Sequence, residues 1–136
     1  MVKYVLGFAF DIRQQQVLLI QKVKPEWQKG CINGIGGKID EGESSMQAMA
    51  REFREEAGVL TKPHHWVYQC EMIGHDWSVS VFYTCTDKIF NFTDMTIEKC
   101  GIYSINRLPL NIITNVNWLI PFCLDQDVKK DTVIKF

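Results

Sequence analysis

The chain has 136 residues, of which 46% are hydrophobic and 23% charged, and its formal net charge is -1. This length and composition predict a single globular domain over residues 1–136, with a hydrophobic core that needs no disulfide or structural metal to be stable. The near-zero charge argues against binding a nucleic-acid duplex, because a grip on the phosphate backbone needs a basic face. It leaves open a small nucleotide, which a local pocket and a metal can hold.

The cysteine pattern indicates neither a zinc site nor a disulfide framework. The count is odd and no pair has CxxC spacing. The five residues are Cys31, Cys70, Cys85, Cys100 and Cys123. We therefore expect reduced, mostly buried thiols in a reducing compartment, and a cytoplasmic location. The apolar N-terminus is too short for a membrane span of about 20 residues and carries Lys3, so it favours a strand over a signal peptide or a membrane partner.

The first elements in chain order predict a β-hairpin. Val2 to Phe10 is rich in β-formers, Asp11 to Gln16 is a polar turn, and Val17 to Val23 is a second strand. A polar loop, Lys24 to Gly30, follows, and a glycine-rich segment comes after it.

Ser44 to Ala57 is the strongest helix prediction, with Ser44 as its N-cap and Gly58 as its terminator. Its apolar stripe at helical spacing consists of Met46, Met49, Ala50, Phe53 and Ala57. Further strands are predicted at Trp66 to Ile73, Trp77 to Cys85 and Gly101 to Ile105. Asn115 to Leu124 predicts a second helix, in which Pro121 must lie in the first turn or cause a kink. The order of elements predicts an α/β or α+β fold with a mixed sheet packed between helices.

The polar face of the first helix carries three glutamates at helical spacing, Glu52, Glu55 and Glu56. Like charges at this spacing repel each other, and near a helix C-terminus they also oppose the macrodipole. A divalent cation such as Mg²⁺ would remove the conflict, since it prefers oxygen ligands. The alternative is a solvated acidic face. The adjoining Arg51 and the upstream Glu43 favour the metal site.

These residues complete a pattern that resembles the catalytic box of the Nudix family, G-x5-E-x7-R-E-U-x-E-E-x-G-U, where U is aliphatic. The matching positions are Gly37, Glu43, Arg51, Glu52, Phe53, Glu55, Glu56, Gly58 and Val59. Phe53 is the one departure, because an aromatic replaces the usual aliphatic. Since Phe53 lies on the apolar stripe, we interpret this as a packing variation.

The resemblance implies the Nudix fold, an α/β/α sandwich around a mixed sheet, and metal-assisted attack of water on a nucleoside diphosphate derivative. It implies Mg²⁺, with Mn²⁺ as an alternative. The implied metal ligands are Glu52, Glu55, Glu56 and the carbonyl of Gly36. It further implies that Arg51 orients a catalytic carboxylate, that Glu43 supports it, and that Gly37 and Lys38 meet phosphate. The general base is Glu52 or Glu56, or else a loop glutamate, for which Glu98 is the candidate if it is not simply solvated.

The segment from Asn33 to Lys38, N-G-I-G-G-K, is similar to the MutT-type oxidised-purine triphosphatases. That similarity implies that Asn33 contacts the base and that Trp27 stacks on it, although these residues also suit a turn and a loop folded over the core. Asn115 and Asn117 stand where those relatives carry an acidic pair. Either amide can still hydrogen-bond a base edge, because it offers both a donor and an acceptor, but the departure puts selectivity for 8-oxo-guanine in doubt. Trp118 is predicted to be a core residue.

The favoured function is therefore hydrolysis of a (deoxy)nucleoside triphosphate, with 8-oxo-dGTP among the candidates, to the monophosphate and pyrophosphate. One alternative keeps the chemistry but changes the substrate to a nucleotide sugar, a dinucleotide or an RNA 5′ end. Another is a silent nucleotide-binding module, although all box carboxylates are present. The oligomeric state stays open.

Overall fold

The computed structural model describes residues 1–136 and contains one eight-stranded mixed sheet with a helix on each face. The strands are β1 (Val2–Phe10), β2 (Gln16–Gln21), β3 (Ile32–Asn33), β4 (Ile35–Lys38), β5 (Val67–Ile73), β6 (Trp77–Cys85), β7 (Lys99–Ser104) and β8 (Thr132–Lys135). The helices are α1 (Ser45–Ala57) and α2 (Thr114–Leu124), and short 3₁₀ turns lie at Glu26–Gln28, Pro63–His65 and Asp87–Asn91. The predicted mixed sheet between helices is confirmed.

Strand β1 organises the sheet. One of its edges pairs in parallel with β6 along the whole strand. The other edge is shared, because its end pairs with β2 in the predicted antiparallel hairpin and its beginning pairs with β4. Side chains alternate between the faces, so that Val5 and Ala9 pack beneath α1 whereas Phe8 and Phe10 pack beneath α2. The sheet therefore separates two hydrophobic cores.

Helix α1 has the local signals that the sequence predicts. Ser44 is its N-cap and forms a capping box with Gln47. Gly58 ends the helix in the left-handed conformation, with φ 68°. The predicted stripe is buried except for half-buried Met46, and Phe53 packs edge-on against Trp66 at a ring-centroid distance of 5.2 Å. With this stripe held in the core, the acidic face of α1 has a fixed orientation.

Several boundaries differ from the sequence predictions. Strand β2 ends at Gln21, before Val23, because the backbone beyond it turns to meet Glu98. Three strands were not predicted: the two-residue β3, which pairs with β2, the glycine-rich β4, which pairs with β1, and the C-terminal β8, which pairs with β5. Pro121 lies inside α2 rather than in its first turn, and it is exposed to solvent. The prediction of Trp118 as a core residue is wrong, since it is 37% exposed.

All five cysteines are free. Only Cys70 and Cys123 are buried, while Cys85 is exposed, so the expectation of mostly buried thiols is wrong. Burial raises the pKa of the Cys100 thiol to about 12, which holds it protonated. Neither helix combines the length and the hydropathy that crossing a membrane requires.

Candidate active site

The polar face of α1 lies directly against the glycine-rich strand β4. A Cβ atom at Gly37 would overlap the carboxylate of Glu52, and one at Gly36 would overlap the carbonyl oxygen of Val5. Side chains at these two positions would push β4 away from both α1 and β1. The two glycines of the box therefore permit the close approach of backbone and carboxylate that a metal or phosphate site needs.

Arg51 is the hub of a charged network on this face. Its guanidinium binds Glu43 in a bidentate pair, Nε–Oε2 at 2.7 Å and Nη2–Oε1 at 2.8 Å. Nη1 donates to Glu52 at 3.0 Å and to Glu55 at 3.2 Å, and Nη2 donates to the Lys38 carbonyl at 3.0 Å. The hydrogen bond from Arg51 holds the pKa of Glu43 below its ordinary value. Arg51 thereby ties α1 to β4 and contacts the carboxylates of Glu43, Glu52 and Glu55.

The three glutamates of the box lie in different environments. The side chain of Glu55 is 56% exposed, whereas that of Glu52 is 13% exposed. Glu56 is half-buried, and its Oε2 is fully buried without a hydrogen-bond partner. Burial is the main cause that raises the pKa of Glu52, and it raises the pKa of Glu56 to about 8. A solvated acidic face would not bury two of its carboxylates. The alternative of a solvated face is therefore excluded for Glu52 and Glu56.

No three acidic, histidine or cysteine side chains in the chain are arranged to hold a metal ion. Glu52 and Glu55 both accept a hydrogen bond from the same nitrogen of Arg51. The residues nevertheless fit a hard divalent cation. The donor set is all oxygen, and the unpartnered Oε2 of Glu56 is an acceptor without a donor. Glu52 and Glu55 would have to exchange their contacts with Arg51 for the ion.

Glu98 lies beside these carboxylates, and the sequence did not predict its environment. It is 5% exposed rather than solvated. Its Oε1 accepts from the ammonium of Lys22 at 3.1 Å, and its Oε2 accepts from the backbone N–H groups of Val23 at 2.7 Å and Lys24 at 3.3 Å. Burial is the main influence on the pKa of Glu56 and raises it, while the positive charge of Lys22 offsets part of that rise. The one signal in the sequence was that Lys22 falls inside the predicted strand Val17 to Val23, where a lysine side chain is partly buried.

The predicted base-binding residues lie on the segments that come after Lys22 and after Glu98 in the chain. Trp27 is 72% exposed in the 3₁₀ turn, so it is not folded over the core. Asn33 ends β3, and its neighbour Ile32 accepts a backbone hydrogen bond at 2.9 Å from Ile113, the N-cap of α2. The start of α2 therefore lies beside Asn33. There Asn115 is half-buried and Asn117 is exposed.

The structure thus gathers the predicted residues into two adjoining groups. The first, on β4, α1 and the loop between them, contains Gly36, Gly37, Lys38, Glu43, Arg51, Glu52, Glu55 and Glu56. The second, on the 3₁₀ turn, β3 and the start of α2, contains Trp27, Asn33, Asn115 and Asn117. Glu98 contacts the backbone that leads from β2 into the second group.

A model of the NUDIX domain matches residues 3–116, so the chain belongs to the Nudix family. The family prediction made from the box is confirmed.

Two curated relatives match part of the chain. The 8-oxo-dGDP phosphatase NUDT18 of Mus musculus is 40% identical over 62 residues, which cover 46% of this chain and 19% of that protein. The CTP pyrophosphohydrolase of Escherichia coli K12 is 35% identical over 78 residues, which cover 52% of this chain and 58% of that protein. The chain thus spans less than two thirds of the length of either relative.

Solved structures agree on the fold. A MutT structure from work on the Aliivibrio salmonicida and Vibrio cholerae proteins has a TM-score of 0.71 and 21% identity, covering 90% of this chain and 97% of that one. A NUDIX hydrolase from Nitrosomonas europaea has a TM-score of 0.76 and 14% identity, covering 99% of this chain and 78% of that one. At these identities the likeness establishes the Nudix fold and nothing finer.

Proposed function

We propose that the protein hydrolyses a (deoxy)nucleoside triphosphate to the monophosphate and pyrophosphate with Mg²⁺, or with Mn²⁺ in its place. An oxidised purine nucleotide such as 8-oxo-dGTP is a candidate substrate. The observation that carries the proposal is the buried, unpartnered Oε2 of Glu56 beside Glu52 on the family's box. The two curated relatives, whose names specify CTP and 8-oxo-dGDP, support a nucleotide with a phosphate chain.

A bound Mg²⁺ would neutralise phosphate charge and make an attacking water more acidic. The residues of the chain supply the rest. Glu52, Glu55, Glu56 and the Gly36 carbonyl would hold the ion. Arg51 keeps the carboxylates in place through its bonds to Glu43 and Lys38.

Glu56 is the best candidate for accepting the proton of the water, because its Oε2 has no other partner. Glu52 is the alternative, although it already accepts a hydrogen bond from Arg51. Lys38 is exposed at the end of β4, where its ammonium can reach a phosphate. We propose that Glu98 holds the loop instead of taking the proton, since both of its oxygens are engaged.

The test is a screen of nucleotides with Mg²⁺ in which every product is identified. The panel comprises dGTP, 8-oxo-dGTP, CTP, 8-oxo-dGDP, ADP-ribose, a nucleotide sugar and a capped RNA 5′ end. Release of pyrophosphate from a triphosphate, with no product from ADP-ribose, supports the proposal. Turnover of only the diphosphates or the RNA would move the substrate to the alternative class, and no turnover of any compound would favour a silent binding module.

Replacing Trp27 with alanine is expected to raise the KM for a purine triphosphate with little change in kcat. Stacking of a base on an aromatic ring is worth about 1–3 kcal/mol, which corresponds to a rise of about 5- to 150-fold. Because Trp27 is 72% exposed, its removal should leave the melting temperature unchanged. Steady-state kinetics check this, with Trp27→Phe as the variant that retains a ring and Phe90→Ala as a control at another exposed aromatic. An unchanged KM for Trp27→Ala would exclude the stacking role.

A further inference from the structure

Gln28 is the inward-facing residue of the 3₁₀ turn that carries Trp27. It is half-buried, whereas Glu26 and Trp27 are exposed. Its backbone is held at both ends, because its N–H donates to Pro25 at 2.9 Å and its carbonyl accepts from Cys31 at 2.8 Å. These two hydrogen bonds fix the position of the Gln28 backbone, and with it the direction in which the side chain leaves the turn. The side chain reaches Asn33, where Gln28 Oε1 accepts from Asn33 Nδ2 at 3.1 Å.

The orientation of the Asn33 amide follows from its second contact. The backbone N–H of Gly34 donates to Asn33 Oδ1 at 2.7 Å. A backbone N–H can only donate, so the amide oxygen of Asn33 must lie at that end and its NH₂ group must face Gln28. Gln28 in turn must present its oxygen to Asn33, which leaves its own NH₂ group on the other side. The Gly34 N–H thus sets the orientation of the Asn33 amide, and the Asn33 amide sets that of Gln28.

The hydrogen-bonding groups that Gln28 and Asn33 leave unused are mostly N–H donors. Asn33 keeps one N–H and one lone pair, while the outward end of Gln28 offers only N–H donors. A carbonyl oxygen on a base can accept from these donors. The amino group of adenine would place its own N–H against them, and a buried donor without an acceptor weakens binding. The pair therefore suits a base that has a carbonyl on the edge being read.

We propose that Gln28 is a positioning and specificity residue of the nucleotide site. Its Oε1 acts with the Gly34 N–H to hold the Asn33 amide in one orientation, and its Nε2 selects nucleotides whose base presents a carbonyl oxygen to it, such as guanine or thymine, over adenine. This rests on the proposed function, because it assumes that the nucleotide base lies between Trp27 and Asn33.

Two substitutions separate the parts of this proposal. Gln28→Glu keeps an oxygen acceptor for Asn33 but replaces the outward donor with an acceptor. Gln28→Leu, similar in size, removes both. Glu26→Gln is the matched control, since Glu26 is exposed in the same turn. The measurements are kcat and KM with Mg²⁺ for dGTP, dTTP, dATP and dCTP, together with the melting temperature.

We expect Gln28→Glu to lower the ratio of kcat/KM for dGTP over dATP by about ten-fold, because one base contact discriminates at that level. A charge repelling the triphosphate would act on all four nucleotides equally and cancel in this ratio. Gln28→Leu should raise KM for every nucleotide and bring the ratio towards one, with kcat for the best substrate kept. If both variants lower the melting temperature and leave the ratio unchanged, Gln28 only supports the loop and the proposal is overturned.

A binding measurement keeps this test independent of catalysis. Nucleoside monophosphates are titrated into the wild-type protein, Gln28→Glu and Gln28→Leu, and quenching of tryptophan fluorescence is followed. Tighter binding of dGMP than of dAMP in the wild type, lost in Gln28→Glu, supports the role of Gln28 even if no triphosphate is hydrolysed. Equal affinities for dGMP and dAMP in all three proteins would overturn it, whatever the outcome of the hydrolysis screen.

Discussion

Replacing Glu56 with glutamine is expected to lower Mg²⁺-dependent turnover by about 10²- to 10⁴-fold, the range typical of a lost general base. Glutamine has the shape of glutamate, but it cannot carry the negative charge that a cation or an attacking water requires. The folded protein should be at least as stable as the wild type in EDTA. The reason is that Oε2 of Glu56 is buried without a donor and the pKa of this group is raised to about 8, so at neutral pH the wild-type protein bears the cost of protonating the carboxyl group or of desolvating its charge.

Single-turnover kinetics with dGTP at saturating Mg²⁺ and urea unfolding in EDTA measure the two effects separately. Glu41→Gln is the matched control, because Glu41 is an exposed glutamate in the loop before α1. We expect it to change neither quantity. Unchanged turnover in Glu56→Gln would contradict both the metal assignment and the proposed proton acceptor, whereas a large loss of stability would mean that the carboxylate is paired in the folded protein.

The parts of the structure that the sequence predicted best are those governed by local rules. Helix α1 is an example, since its N-cap Ser44, its terminator Gly58 and its apolar stripe are all neighbours along the chain. The same spacing that buries Phe53 also fixes which way Glu52 and Glu56 point. For this reason the sequence pattern was sufficient to predict the helix, its caps and its buried face.

Features that depend on distant partners were not predictable in the same way. Strand β4 has the sequence of a loop, and it becomes a strand because β1 offers an edge with room for glycines. Trp118 has apolar neighbours, yet α2 turns it outward. The contact between Gln28 and Asn33 has no signature in one sequence, because it requires the 3₁₀ turn to place one amide against the other.

The residues proposed for the reaction and those proposed for substrate choice also differ in whether local or distant contacts position them. The chemical groups of the box lie on β4, on α1 and in the short loop between them, which agrees with a reaction shared across a family. The proposed base-reading groups lie on a turn, a two-residue strand and a helix start. Backbone hydrogen bonds between Ile32, Asn111 and Ile113 join the strand to the helix start, and one from Cys31 to Gln28 holds the turn. Substrate choice can therefore change through loop residues without disturbing the carboxylates.

Removing the carboxylate of Glu98 should destabilise the protein strongly. In Glu98→Ala, the ammonium of Lys22, 14% exposed, loses its partner, and the N–H groups of Val23 and Lys24 lose their acceptor. Breaking a fully buried ion pair costs about 3–5 kcal/mol, and because Lys22 keeps some contact with solvent we expect a loss near or below the lower end of that range. The double variant Lys22→Met with Glu98→Leu should recover part of this loss, because no unpaired charge is left behind. Urea unfolding at pH 7 measures all three proteins.

The stability that Glu98 provides should also depend on pH. Burial alone would raise the pKa of Glu98, but hydrogen bonds from the Val23 N–H, the Lys22 ammonium and the Lys24 N–H together hold it below its ordinary value of 4.5. As the pH falls below that value, the unfolded chain takes up a proton before the folded protein does, so the free energy of unfolding decreases. The decrease should be smaller in Glu98→Gln than in the wild type.

The Glu98→Gln variant also decides between the two roles considered for this residue. Glutamine can still accept a backbone N–H but cannot take a proton from water. If Glu98 holds the backbone that leads to Trp27, the variant loses stability and its KM rises, while kcat with a triphosphate and Mg²⁺ stays within a few-fold of the wild type. If Glu98 is the general base, kcat falls by about 10²- to 10⁴-fold, the range for such a group. Because both oxygens already accept hydrogen bonds and the carboxylate is 5% exposed, we expect the first outcome.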